Sequence, residues 1–231
     1  MNTPELSVIV PAYNEAVHLE DVIAKMARTL VESGLNYEIC IVNNGSKDGT
    51  DTVIEKLKKD QPRITSVTLK ENQGYGGGIL AGLASARGQV LCWTHADGQA
   101  DPQAIVRLFE RMRAEGRELA MAVRVVRRES MWRKVQGNVY FRLFQLFFRS
   151  PYRDINGTPK LLTSWAARAL NLKSRDWFLE PEFVIKSLRL KMPICEVETI
   201  WNSRRSGSTR AHLLTGLGML KTMILYRIGV K

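Results

Sequence analysis

His95, Asp97 and Gln99 stand at alternate positions within the stretch Val90 to Pro102, offering an imidazole, a carboxylate and an amide to one ligand. The stretch opens as a short apolar, β-prone run, Val90-Leu91-Cys92-Trp93, bounded by Gly88. It closes with Asp101-Pro102, a helix opening: the aspartate is an N-cap acceptor and the proline fills the first helical position, where a missing N–H costs nothing. Ligands of open α/β sheets gather outside the carboxyl ends of strands, which is where these three side chains should fall. With Asp101 as the cap, Asp97 is not needed for that task. A carboxylate flanked by two further donors suits a divalent cation that also holds phosphate oxygens. An ordinary polar strand-to-helix loop would show a similar pattern.

The elements that must hold this stretch follow from periodicity. Leu6 to Val10 predicts a strand and Pro11 to Glu15 the turn after it, with Asn14 as cap of a helix carrying Val17, Val22, Ile23, Met26 and Leu30. Tyr37 to Val42 is a second strand, Val53, Ile54 and Leu57 mark a second helix, Ile64 to Leu69 a third strand, and Ile79 to Ala86 a third helix. Strands alternating with helices imply parallel βαβ units, so the class is α/β with a mostly parallel central sheet flanked by helices. Further on, Ile105 to Ala114 and Pro181 to Leu190 read as helices, and Leu119 to Val126 and Ile194 to Trp201 as strands. Tyr152 to Leu162 reads as loop and strand, Tyr140 to Arg149 is apolar and aromatic with arginines at its flanks, and Arg204 to Thr209 is a polar loop. The expected division is a domain over 1–210, in halves of 1–102 and 103–210, then an amphipathic tail over 211–231. That tail is apolar but broken by Lys221 and Arg227, so it suits a membrane interface or a docking face better than a span. A helix packed on the domain's own core fits it equally.

Composition narrows the partners. The net charge of +11 is unevenly placed: residues 1–115 hold 12 Lys and Arg against 15 Asp and Glu, and residues 116–231 hold 22 against 8. A basic second half suits an anionic membrane, a phosphorylated substrate or nucleic acid. Nucleic acid is disfavoured because no RNA-binding signature is present and the aromatic basic stretch reads as an amphipathic helix. Cys40, Cys92 and Cys195 lack disulfide or zinc spacing and suit a reducing, cytoplasmic setting; no basic-then-apolar leader opens the chain. Gly76, Gly78 and Ala81, with Asp97 beyond them, match the dinucleotide fingerprint, but after the third strand rather than the first.

Four segments stand in the order found in family 2 glycosyltransferases: Ile9 to Glu15, Val42 to Thr50, Asn72-Gln73-Gly74, and Ala96-Asp97-Gly98-Gln99. The chain resembles most the branch containing dolichyl-phosphate mannose synthase and bacterial polyprenyl-phosphate sugar transferases, over residues 5–210. The resemblance implies a GT-A fold, a UDP- or GDP-sugar donor and a divalent metal, Mn²⁺ or Mg²⁺. It places Pro11, Ala12, Tyr13 and Glu15 around the nucleoside, with Asn72 and Ala96 also on the donor side. Asn44 stands where the family has the second of two base-reading aspartates, and an amide there can both donate and accept. Asp97 and Gln99 match the metal and diphosphate positions. His95 replaces the first carboxylate of the usual Asp-x-Asp: it is a ligand better suited to Mn²⁺, a direct diphosphate contact, or a positioned hydrogen-bonding group without metal contact. On the acceptor side the resemblance implies Arg124, Arg133 and Glu182, with Asp154 as a catalytic acidic position and Arg204 on a loop closing over the diphosphate.

The implied reaction is inverting transfer of a sugar to a polyprenyl phosphate at the cytoplasmic membrane face, by a peripheral enzyme with room for a membrane partner subunit. An anionic phosphate acceptor needs no strong general base, so Asp154 would orient; with a hydroxyl acceptor Asp154 becomes the candidate base. The rivals are a transferase acting on a saccharide or other hydroxyl, a nucleic-acid-binding module, and a donor-binding protein without activity.

Overall fold

The computed structural model describes residues 3–127, 131–202 and 213–229. Seven strands form one sheet: β1 (Leu6–Ala12), β2 (Tyr37–Asn44), β3 (Ile64–Leu69), β4 (Val90–Trp93), β5 (Leu119–Arg127), β6 (Lys160–Thr163) and β7 (Ile194–Trp201). Their order is β3-β2-β1-β4-β6-β5-β7. The first four pair in parallel, β6 runs antiparallel to both β4 and β5, and β5 pairs in parallel with β7. The mostly parallel α/β sheet expected from the sequence is present, and its parallel half carries Val, Ile and Leu buried on both faces, as helix-covered strands require.

The helices are α1 (Leu19–Glu32), α2 (Thr50–Asp60), α3 (Gly74–Ser85), α4 (Gln103–Ala114), α5 (Met131–Phe148), α6 (Ser164–Leu170), α7 (Leu179–Arg189) and α8 (Leu213–Arg227). α1 buries Leu19, Val22, Ile23, Met26 and Leu30 at helical spacing against the sheet. It starts later than the sequence suggests. Asn14 does not cap it: φ is +54° and its Oδ1 accepts from Lys47 N at 2.8 Å, while Val17 is exposed. The α4 start follows the expected chemistry, since Asp101 Oδ1 accepts from Gln103 N at 3.2 Å beside Pro102.

The glycine run is part of α3 rather than a loop before it. Residues 174–176 cross the first turn of this helix, and Gly77 N donates to Arg175 O at 2.9 Å. A Cβ on Gly76 would meet Ser174 O at 2.2 Å, and one on Gly74 would meet Arg175 O at 2.5 Å. The glycines admit the chain's own backbone, which takes the place a dinucleotide would need and removes that reading. The tail resolves similarly: α8 buries Met223 and Tyr226, the Tyr226 ring lies 5.1 Å from Phe178, and Arg189 donates to Tyr226 O at 2.7 Å. α8 is therefore packed on the core beside α5 and α7, with Ile224 and Ile228 left exposed.

Gly76→Ala is expected to destabilise the protein by about 1–3 kcal/mol or more, because the obstacle is backbone. Gly137→Ala in α5, where a Cβ meets nothing within 4 Å, is expected to stabilise by roughly 0.5–1 kcal/mol. Urea unfolding of the two variants measures both.

Candidate functional site

The carboxyl ends of β1, β2 and β4 lie side by side, with Pro11 opposite Val42 and Ala12 opposite Asn43. Two loops are laced together here. Asn14 N donates to Ser46 Oγ, Glu15 N to Thr50 Oγ1 and Ala16 N to Asp48 Oδ2, at 3.0, 3.0 and 3.2 Å. Burial alone would raise the Asp48 carboxyl, but Thr50 and the backbone N–H groups outweigh it and hold it below its ordinary value. The Ser46-to-Thr50 motif thus braces the loop after β1, in which Tyr13 and Glu15 are half-buried and Ala12 is buried.

The asparagines point inward. Asn43 Oδ1 accepts from Ser46 N at 3.0 Å. Asn44 accepts from Gln73 N at 3.0 Å and donates to Gly74 O at 2.9 Å, and Asn72 Oδ1 accepts from Gly74 N at 2.8 Å. Asn44, expected on the donor side, anchors the entry to α3 with both of its polar atoms, and Asn72 folds that same turn.

Beyond β4, Ala96 is buried and His95, Asp97 and Gln99 are half-buried, in the order expected. Asp97 Oδ1 accepts from Gln99 N at 3.0 Å, and the Gln99 amide donates to Asn202 O at 3.0 Å, tying this loop to the end of β7. The His95 ring lies 5.4 Å from Tyr75, nearly parallel, and 5.4 Å from Trp201, edge to face. Trp177 stacks on the other side of Tyr75 at 4.2 Å, and the Arg124 guanidinium lies 5.4 Å from the Trp201 ring centre. These five side chains form one row from Trp177, before α7, to Arg124 on β5. Burial lowers the His95 pKa against the opposing pull of Asp97 and Glu180, favouring a neutral imidazole.

No group of three or more His, Cys, Asp and Glu side chains among the described residues could hold a metal. One carboxylate with an amide beside it does not make a resident site. It does fit a cation shared with a diphosphate, because such ions take one or two carboxylates and complete their shell with phosphate oxygens and water.

On the acceptor side Arg124 and Asp154 form a two-pronged ion pair, Nε to Oδ2 at 2.7 Å and Nη2 to Oδ1 at 2.9 Å. Asp154 also accepts from the backbone of Arg124 and Asn156, and its side chain is 3% exposed. This geometry orients Arg124; it does not present a base to a substrate hydroxyl. Glu182, expected on the acceptor side, is fully buried and accepts from Lys173 N, Ser174 N and Lys186 Nζ. Arg204 and the Arg133 side chain lie outside the described residues.

The sequence reading missed Glu180 and Lys160. Glu180 Oε1 accepts from the Tyr75 hydroxyl at 2.6 Å and Trp93 Nε1 at 2.9 Å, while its Oε2 pairs with Lys160. Lys160 is wholly buried and also donates to Ile155 O and Gly157 O, at 3.1 and 2.8 Å. The available signal was a lysine beside Leu161-Leu162 and a glutamate pair, Glu180 and Glu182, between Phe178-Leu179 and Phe183-Val184, charges set in apolar runs.

Residues 7–177 match the description of glycosyl transferase family 2. The chain belongs to that family. It is 32% identical over 130 residues to undecaprenyl-phosphate 4-deoxy-4-formamido-L-arabinose transferase of Pseudomonas aeruginosa, covering 56% of this chain and 38% of that one. It is 29% identical over 217 residues to dolichyl-phosphate beta-glucosyltransferase of Drosophila melanogaster, covering 85% of this chain and 67% of the relative. The fold is similar to glucosyl-3-phosphoglycerate synthase of Mycobacterium tuberculosis, crystallised with UDP: the TM-score is 0.77 over 98% of this chain and 80% of that one, at 17% identity. The GT-A architecture expected from the sequence is thereby shown. This family 2 chain spans less than two fifths of the length of the Pseudomonas transferase.

Burial would raise the Glu182 carboxyl, but Lys186 and the N–H groups of Ser174 and Lys173 hold it below the ordinary 4.5. The stability it contributes is complete above that value and is lost as pH falls through the lowered one. Glu182→Gln is expected to melt well below the wild type at pH 7, the gap narrowing as pH drops beneath about 4.5; melting temperature against pH checks it.

Proposed function

We propose that this family 2 protein is an inverting transferase that moves a sugar from a nucleotide diphosphate to a polyprenyl phosphate at the cytoplasmic face of a membrane. The observation that carries the reading is the row from His95 to Arg124. It joins His95, two residues before the carboxylate of Asp97 in the loop after β4, to an arginine suited to a phosphate, beyond the carboxyl end of a strand where such ligands collect. The named relatives that act on undecaprenyl and dolichyl phosphates support the same acceptor class.

In this reading Pro11, Ala12, Tyr13 and Glu15 line the nucleoside pocket braced by Asp48 and Thr50. Asp97, with Gln99 beside it, would hold the divalent cation that neutralises charge on the leaving diphosphate. His95, with its ring packed between Tyr75 and Trp201, positions the loop rather than completing a metal site. Arg124, fixed by Asp154, meets the acceptor phosphate. An oxygen of that phosphate attacks the anomeric carbon from the face opposite the diphosphate; the bond to the diphosphate breaks and its electron pair leaves with it. The acceptor is already anionic, so no base is required, which agrees with the full set of donors around Asp154.

The membrane contact falls to α5 and α8. Val139, Leu146, Ile224 and Ile228 are exposed there among the exposed Arg142, Arg149, Lys221 and Arg227. Apolar and basic side chains together on a helix surface suit an anionic interface. No helix among the described residues is long and apolar enough to cross a membrane.

UDP- or GDP-sugar with Mn²⁺ is expected to raise the melting temperature, since any ligand that binds only the folded state stabilises it. Asp97→Ala is expected to abolish the metal-dependent part of that rise and to lower transfer to polyprenyl phosphate by about 10²-fold or more. Normal transfer by a folded Asp97→Ala protein would remove the site assignment. Flotation with anionic liposomes tests the acceptor: a protein that stays in solution, and transfers to a soluble hydroxyl, would replace the lipid phosphate with that acceptor.

A further inference from the structure

We infer that the buried Lys160–Glu180 ion pair is the positioning device of the donor site, holding Tyr75 and Trp93 so that His95 and the Asp97 loop keep their place. Its catalytic consequence rests on the function proposed above; its structural consequence does not.

Glu180 reaches the site from α7 and Lys160 from β6, where it lies opposite Trp93 on β4. One carboxylate oxygen, Oε1, takes both the Tyr75 hydroxyl and the Trp93 indole N–H. Trp93 is the last residue of β4, two before His95, and Tyr75 is the ring on which His95 stacks. A single buried atom thus fixes the strand end from which the loop departs and the surface against which the loop rests. Burial, then Glu180, push the Tyr75 pKa well above its ordinary value, so the hydroxyl stays protonated and donates. Lys160 supplies the counter-charge that lets a carboxylate stay buried there, and its remaining protons are taken up by Ile155 O and Gly157 O. A salt bridge serving only stability has no need to receive two aromatic donors from the site wall. Two donors from separate elements converging on one oxygen restrict both to a single arrangement.

Two variants separate positioning from bulk stability. Lys160→Met with Glu180→Leu removes both charges together and leaves no unpaired ion in the core. Tyr75→Phe removes only the hydroxyl and keeps the ion pair and the Trp93 bond. The structural readout is the His95 ring-proton signal, shifted by the neighbouring aromatic rings; the chain has three histidines, and loss of one signal in His95→Asn assigns it. The signal is expected to move part-way toward that of an unstacked histidine in Tyr75→Phe and further in the double variant. Turnover of donor sugar per folded molecule is expected to fall by about tenfold or more in the double variant and less in Tyr75→Phe.

An unmoved His95 signal in the folded double variant overturns the proposal. Should that variant fail to fold, an unmoved signal in Tyr75→Phe overturns it. A moved signal with wild-type turnover in a wild-type-like melt overturns the catalytic consequence. If the wild type neither binds nor turns over any nucleotide sugar, the proposed function fails, and the His95 signal still decides whether the pair positions the loop.

Discussion

A carboxylate with no access to water must have its charge met by the protein, and Glu180 has this placed upon it by β4, β6, α3 and α7 together. Its partners come from positions 75, 93 and 160, so the bonds cannot form until both halves of the sheet are assembled. Leaving any of the charges buried alone would cost several kcal/mol, on the order of 3–5. That requirement couples the parallel half of the sheet to the antiparallel step at β6.

A second close approach works in the same direction. Residues 173–176 are pinned by Glu182 on α7 and lie across the first turn of α3, where only glycine admits them. The turn they press upon is the one anchored from below by Asn44. The segment before α7 and the first turn of α3 therefore share one boundary, made of backbone contacts that do not adjust by a rotamer change. Arg124, Trp201, His95 and Tyr75 follow one another as a row of stacked and edge-on contacts.

The division of labour among the charged residues follows from burial. Asp48, Asp154 and Glu182 are surrounded by N–H donors from backbone and side chains, and each holds a segment in place. Asp97 lies beyond a strand end, half-buried in a glycine-containing turn, and its Oδ1 accepts from Gln99 N. Family membership and these environments assign the residues differently from motif position alone, which treats every matched acid as a candidate for chemistry.

Much was legible in the chain itself. Apolar periodicity set the strands of the parallel half and the faces of α1 and α4, because burial against a sheet imposes its period on neighbouring residues. The β4 strand, the Asp101-Pro102 helix start and the placing of His95, Asp97 and Gln99 beyond a strand end are local matters, and local sequence determined them. What tertiary structure decided was where each polar atom finds its partner. Asn14 and Asn44 have the residue types of a cap and a base reader, yet bond to Lys47, Gln73 and Gly74 across a pocket. Glu182 matched an acceptor position and lies sealed in the core, while Glu180, one turn-half away, reaches the site. Two residues along a helix rotate a side chain by about 200°, and only the packing of α7 on the sheet selects which of the two acids meets Tyr75, Trp93 and Lys160.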